Sequence, residues 1–293
     1  MPTLTRWLCA ALLALAGCAA PQPDAAAPLR VGVAAFDQVD PLARVEQIAA
    51  LGFDYIEPAL SRLATASDAD VDAARQRVRA AGLRAETMNW FLPPDLKVTG
   101  PTVDAARVLA YIERALAIAD SFGVQVVVFG SPAARSYPDG FARERAWQQL
   151  VAFLRQCAAV LERRHSPIVI GIEALRRPES NIVNSVTEAV QLARDVDRPQ
   201  VRIIVDFYHL TFEGEDPAVV RTAAPWIVHL QIADPRGRGF PRSAAGEPRY
   251  AQFFAALRAV GYRGRISVEA VAQDFASDAA AALTCLRALS AGE

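Results

Sequence analysis

From Leu29 onward the chain alternates between two patterns: short runs of β-branched and apolar residues, and longer stretches in which apolar residues recur every three to four positions. The first pattern reads as buried strand and the second as a helix packed by one face. Strands are predicted at 30–35, 55–57, 84–89, 124–129, 168–173, 202–206, 227–231 and 265–269, and helices at 41–51, 68–81, 103–122, 142–164, 185–197, 218–224, 250–260 and 278–289. Gly52, Gly82, Gly123 and Gly261 each stand between a helical stretch and the next strand. Glycine tolerates the left-handed conformation that closes a helix, so these joints support a repeated βα order.

Near-continuous apolar strands alternating with helices imply a parallel sheet, closed into a barrel or left open and doubly wound. An open dinucleotide-binding sheet would carry GxGxxG after its first strand, whereas Val31-Gly-Val-Ala-Ala-Phe36 runs into Asp37-Gln38 without it. Eight strand candidates fit one closed barrel, so the predicted fold is α/β, a single (β/α)8 TIM barrel over residues 29–293.

Residues ahead of Leu29 follow another plan. One arginine, Arg6, precedes the apolar run Leu8-Cys-Ala-Ala-Leu-Leu-Ala-Leu15 and then Ala16-Gly17-Cys18. That run is too short for a permanent membrane span of about 20 residues and reads as an export signal over 1–17. Leu15-Ala-Gly-Cys18 is similar to a bacterial lipobox, which makes Cys18 the expected lipidation site of a membrane-anchored lipoprotein on the periplasmic face, with 18–28 as a Pro/Ala-rich tether. Cys157 and Cys285 sit in apolar helical surroundings and read as core residues rather than as a disulfide framework. Hydrophobic residues make up 53% of the chain and the formal net charge is −1, so a large core is expected and a nucleic-acid partner is not.

In barrel enzymes chemistry sits at the C-terminal ends of strands. Strand five ends in Glu173, strand six in Asp206 and strand eight in Glu269, while strand seven contains His229. Three carboxylates and one imidazole on successive strands form an oxygen-rich shell suited to one divalent ion, Mn²⁺ before Co²⁺ or Mg²⁺, with Zn²⁺ also allowed; thiolate ligands for a structural zinc site are missing. His209, three residues after Asp206, is placed in the loop over that strand end, as a metal ligand or a hydroxyl-binding group. His165 reads as a surface turn residue. Trp90 and Phe91 are candidates for an apolar wall or for packing under their loop, and Arg135 for an anion contact or a helix cap.

Four segments in order, Ile172-Glu173-Ala-Leu-Arg-Arg-Pro-Glu179, Val205-Asp206-Phe-Tyr-His209, Val228-His229-Leu-Gln-Ile-Ala-Asp234 and Gly261 through Glu269, resemble the metal-site motifs of the sugar phosphate isomerase/epimerase family. That family includes the ketose 3-epimerases and belongs to the xylose-isomerase-like barrels. The resemblance extends to Leu51-Gly-Phe-Asp-Tyr-Ile-Glu57 and Met88-Asn89-Trp90. It implies a metal held by Glu173, Asp206, His229 and Glu269, proton transfer by Glu173 and Glu269, and contacts from His209, Glu179 and Arg236, with Arg238 as the competing arginine, to a small carbohydrate. The related type-2 apurinic endonucleases use a trinuclear zinc site rich in histidine, and the three histidines of this chain do not supply one.

The implied reaction is isomerisation or epimerisation of a sugar or keto-sugar through an enediolate. The same enediolate can expel a β-substituent, which keeps a lyase or dehydratase acting on a 3-keto sugar or glycoside as an alternative. A surface-tethered sugar-binding lipoprotein without catalysis is a third reading. Export favours a neutral or oxidised sugar over a phosphorylated one.

Overall fold

A computed structural model describes residues 29–292. The predicted signal segment, the predicted lipidation site Cys18 and the predicted tether fall outside the described residues. Eight parallel strands, β1 (Arg30–Ala34), β2 (Tyr55–Glu57), β3 (Thr87–Met88), β4 (Val126–Phe129), β5 (Val169–Ile172), β6 (Val201–Asp206), β7 (Ile227–Ile232) and β8 (Arg265–Val268), form one sheet in the order 2-1-8-7-6-5-4-3. Strands β2 and β3 meet through isolated bridges, Ile56 with Ala85 and Ala59 with Asn89, which bring the barrel nearly to closure.

Each predicted strand is present, and most are shorter than their apolar run because the flanking residues turn into loops. The predicted helices form the outer ring as α1 (Val45–Leu51), α3 (Asp68–Ala80), α4 (Ala105–Phe122), α6 (Arg143–Arg163), α7 (Val186–Val196), α9 (Val219–Ala223), α10 (Arg249–Ala259) and α11 (Phe275–Ala291). Side chains one residue outside several of them close the first turn: Ser67, Asp104, Ser185 and Asp274 each accept a backbone N–H three residues on. Gly52, Gly82, Gly123 and Gly261 all take positive φ, as the helix-to-strand joints require. Three short helices were not predicted: α2 (Leu60–Thr65), α5 (Pro132–Arg135) and α8 (Phe207–Phe212), all on loops that follow strand ends. None of the described helices is long and apolar enough to cross a membrane.

Alternation along the strands divides the core in two. Val127, Phe129, Ile170, Ile172, Ile203 and Val205 face the helices and join the large outer core, which also takes in Cys157 and Cys285. Val126, Val128 and Ile204 pack inside the barrel. Gly171 leaves room for them, since a Cβ there would stand 2.5 Å from Ile204 Cγ2 and 3.3 Å from Val126 Cγ1. Strand β7 carries an irregularity: Ile203 pairs with Ile227 but Ile204 with His229, so Val228 is an extra residue. Such a bulge re-aims the side chains beyond it. Overpacking at a strand interior of this kind costs about 1–3 kcal/mol. Gly171→Ala is therefore expected to lower unfolding stability by that amount, measured by chemical denaturation followed by circular dichroism.

Candidate functional site

The C-terminal ends of the strands open into a cavity of about 270 Å³. Its floor carries Glu173, Glu179, His209, Arg238 and Glu269, and one side carries Phe36, Trp90, Leu92, Pro94 and Leu175. Within the floor, Glu173, Asp206, His209 and Glu269 each present one ligand atom within 4.8 Å of all the others, and all four are buried. This group can hold a metal ion.

Strand and turn geometry explains how the carboxylates arrive there. Glu173 immediately follows β5, and its Oε2 occupies the space over Gly130, where a Cβ would come within 2.2 Å of it. Asp206 ends β6 and caps α8: its Oδ1 accepts the amides of Tyr208 at 2.6 Å and His209 at 3.4 Å. This cap starts a helix where a loop was expected, and it leaves Oδ2 free. Glu269 follows β8 and is held from both sides, by Asn89 Nδ2 at 2.9 Å on Oε1 and by the Arg238 guanidinium on Oε2.

His209 faces this cluster with Nε2 3.4 Å from Glu173 Oε1 and 3.9 Å from Asp206 Oδ2. Its Nδ1 accepts the Arg176 amide at 3.2 Å. Burial and the arginines Arg238, Arg135 and Arg176 push its pKa well below the usual range, so the ring is neutral. With Nδ1 taken by the Arg176 amide, Nε2 is the ring atom that faces the cluster, as a ligand atom or, when it carries the proton, as a donor to a substrate oxygen.

His229 is not among the residues that meet at the mouth. Strand β7 continues to Ile232, which sets His229 in the barrel interior one layer below the mouth, with Nε2 2.7 Å from Glu57 Oε2. The residue in register with Asp206 is Gln231. Neighbouring residues in register leave the sheet on the same side at the same height, so Gln231 stands where the fourth ligand was expected. Its Nε2 donates to Glu57 Oε1 at 2.7 Å and lies 3.5 Å from Glu269 Oε1.

Two other expectations resolve similarly. Arg236 is exposed and bound to Asp234 and to the carbonyl of Gly246, so it does not reach the cavity. Arg238, at φ +53°, is the arginine over the floor, pairing with Glu269 and, at 3.2 Å, with Glu179. Glu179 lines the cavity as expected. Arg135 is fully buried and donates to the carbonyls of Glu173 at 2.6 Å, Val183 at 3.2 Å and Phe129 at 3.3 Å, tying the segment after β5 in place. Phe91 packs beneath its loop while Trp90, at φ +47°, stays at the rim. His165 is an exposed turn residue at φ +51°. Glu57, Asn89 and Gln231 were not assigned roles from sequence; the signal for Gln231 is its spacing of two from His229, which puts both on one face of a strand.

The carboxylates repel one another in a desolvated space. Burial, then Glu269 and Asp206, raises Glu173 well above its ordinary value. Burial, partly offset by Arg238, raises Asp206 to about 6, and burial, again opposed by Arg238 but reinforced by Asp206 and Glu57, raises Glu269 to about 7. Glu173 Oε1, Asp206 Oδ2 and Gln231 Oε1 are buried acceptors without a donor. Unpaired buried oxygens are costly, and one divalent cation answers those of Glu173 and Asp206 together, so the carboxylate cluster fits such an ion.

The sequence matches the xylose isomerase-like TIM barrel model over residues 45–289, and the chain belongs to that family. It is 27% identical over 230 residues to the L-ribulose 3-epimerase of Methylomonas sp., covering 76% of each chain. It is also 27% identical over 257 residues to a putative hydroxypyruvate isomerase of Streptomyces coelicolor, covering 80% of this chain and 86% of the relative. In fold it is similar to the crystal structure of 3-keto-D-glucoside 4-epimerase from E. coli, with a TM-score of 0.72 at 22% identity, covering 88% of this chain and 99% of that one.

Carboxylates with raised folded-state pKa bind more protons folded than unfolded, so between about pH 4 and 7 they make the metal-free protein less stable as pH rises. A divalent cation displaces those protons and reverses the trend. The rise in Tm on adding Mn²⁺ is therefore expected to be larger at pH 8 than at pH 5, a comparison made by differential scanning calorimetry.

Proposed function

We propose that this protein is a divalent-cation-dependent isomerase or epimerase acting on a sugar or keto-sugar through an enediolate. The observation that carries the reading is the pair Glu173 and Glu269, buried in one cluster at the open end of the barrel, each raised in pKa toward the range of a general acid or base. The 3-epimerase and isomerase relatives support the same class.

In this proposal Glu173, Asp206 and Glu269 hold the cation, with Gln231 Oε1 taking the place first given to His229. The ion supplies Lewis-acid polarisation of adjacent carbonyl and hydroxyl oxygens, worth several kcal/mol. One glutamate removes a C–H proton, and the other returns a proton on the opposite face in epimerisation or on the neighbouring carbon in isomerisation. The two differ in freedom: Glu269 is clamped by Asn89 and Arg238, while Glu173 has an unbonded oxygen. His209 donates from Nε2 to a substrate oxygen, Glu179 accepts from a hydroxyl, and Arg238 holds Glu269 in line. Trp90 and Leu92 cover an apolar face of the sugar and exclude water.

Loss of one proton-transfer group costs about 10²–10⁴-fold in rate. Glu173→Gln and Glu269→Gln are expected to fall by that much in turnover and in exchange of a substrate C–H for solvent deuterium, followed by NMR over a panel of ketoses and 3-keto sugars. Full activity in Glu269→Gln would remove it from the acid/base pair, and a product of altered mass would replace isomerisation by elimination. The proposal extends to place: Leu8 to Cys18 supports export and lipid anchoring. Radiolabelled palmitate is expected to enter the wild-type chain in bacterial cells and not Cys18→Ser.

A further inference from the structure

Beneath the carboxylate cluster lies a second polar group that the reaction does not use. Glu57, at the end of β2 and fully buried, accepts hydrogen bonds from four side chains. On Oε2 these are Thr87 Oγ1 at 2.8 Å, His229 Nε2 at 2.7 Å and the Ser267 hydroxyl. Ser267 in turn meets the Tyr55 hydroxyl at 2.8 Å. On Oε1 the donor is Gln231 Nε2 at 2.7 Å, so β2, β3, β7 and β8 all converge on one carboxylate.

We propose that Glu57 is a positioning residue: by accepting from the Gln231 amide nitrogen, it fixes which end of that amide is presented to the cation. The proposal rests on the cation site described above. A side-chain amide is nearly symmetric in shape, and only its hydrogen-bond partners decide whether the oxygen or the NH₂ group faces a given side. Only the oxygen can ligate a cation. Gln231 Nε2 is committed to Glu57 Oε1 at 2.7 Å, with Glu269 Oε1 3.5 Å away, and Gln231 Oε1 is the end left without a partner.

The arrangement has a consequence that packing alone lacks. In Glu57→Gln, the new amide keeps its oxygen on the Thr87, His229 and Ser267 side and turns its NH₂ toward Gln231. Gln231 must then accept, which rotates its own NH₂ toward the cation. Exchanging the pair, Glu57→Gln with Gln231→Glu, restores an oxygen on the cation side at unchanged size and total charge.

The test is Mn²⁺ binding to the detergent-solubilised full-length protein by titration calorimetry, with EPR of bound Mn²⁺ and circular dichroism of each variant. Groups that orient metal ligands change affinity by about 10–100-fold when replaced. Glu57→Gln is expected to weaken binding within that range while remaining folded, and the exchanged pair is expected to recover to within about threefold of the wild type. Wild-type affinity in folded Glu57→Gln would overturn the proposal. So would an exchanged pair no better than the single variant, because that outcome assigns Glu57 to packing. Failure of the wild type to bind Mn²⁺ would overturn instead the cation site on which the proposal stands. If binding behaves as expected but no sugar is turned over, the positioning role holds and only the reaction assignment fails.

Discussion

Three buried carboxylates with oxygens within 4.8 Å of one another constitute the constraint around which the open end of this barrel is organised. Left alone, such a group would hold protons and lose the charge that makes it useful. The surrounding structure accommodates it with opposite charge and with directed donors. Arg238 reaches in from the loop after β7 in a left-handed backbone conformation, its guanidinium packed over Phe36 and Tyr208 as well as against Glu269. The helix that begins at Asp206 turns two amides toward one of its oxygens and leaves the other for the centre of the cluster. Gly130 is bare because the Glu173 carboxylate needs the volume.

Much of this was legible in the chain. Alternating apolar runs and helical periods gave the order of the eight strands and of the eight outer helices, because a parallel barrel buries its strands on both faces and the period of each segment is a direct record of that burial. Glu173, Asp206 and Glu269 were identifiable because each follows its strand without interruption, so the count along the strand gives its height in the barrel. His229 lies a layer below the mouth for a physical reason: a bulge at Val228 and a strand running on to Ile232 bring Gln231, two residues further, level with Asp206. An extra residue in a ladder leaves no mark in hydrophobic periodicity. The choice between Arg236 and Arg238 turned likewise on the backbone of Gly237 and Arg238, both at positive φ, which decides which arginine folds inward. The helix α8 was read as a loop since it is a single capped turn and a half, shorter than any periodic signal.

Arg135 illustrates how a residue with functional chemistry is used for construction. Its guanidinium donates to three carbonyls: that of Glu173 itself, and those of Phe129 and Val183, which also accept the amides of Glu173 and Leu175. Orphan carbonyls beyond a strand end must find donors when buried, and a planar group with five N–H bonds serves several at once. The ligand-bearing segment after β5 is thereby fixed as firmly as the strand.

The strand that receives the chain has a bearing on the cell as well as on the fold. Arg30 enters β1 level with the start of β8, donating its amide to the carbonyl of Gly264, at the base of the barrel. Whatever precedes Leu29 is thus joined to the foot of a cup whose opening lies at the far end. The end at which the chain enters the barrel and the end at which solutes enter the cavity are therefore opposite, and an attachment made at the one leaves the other unobstructed.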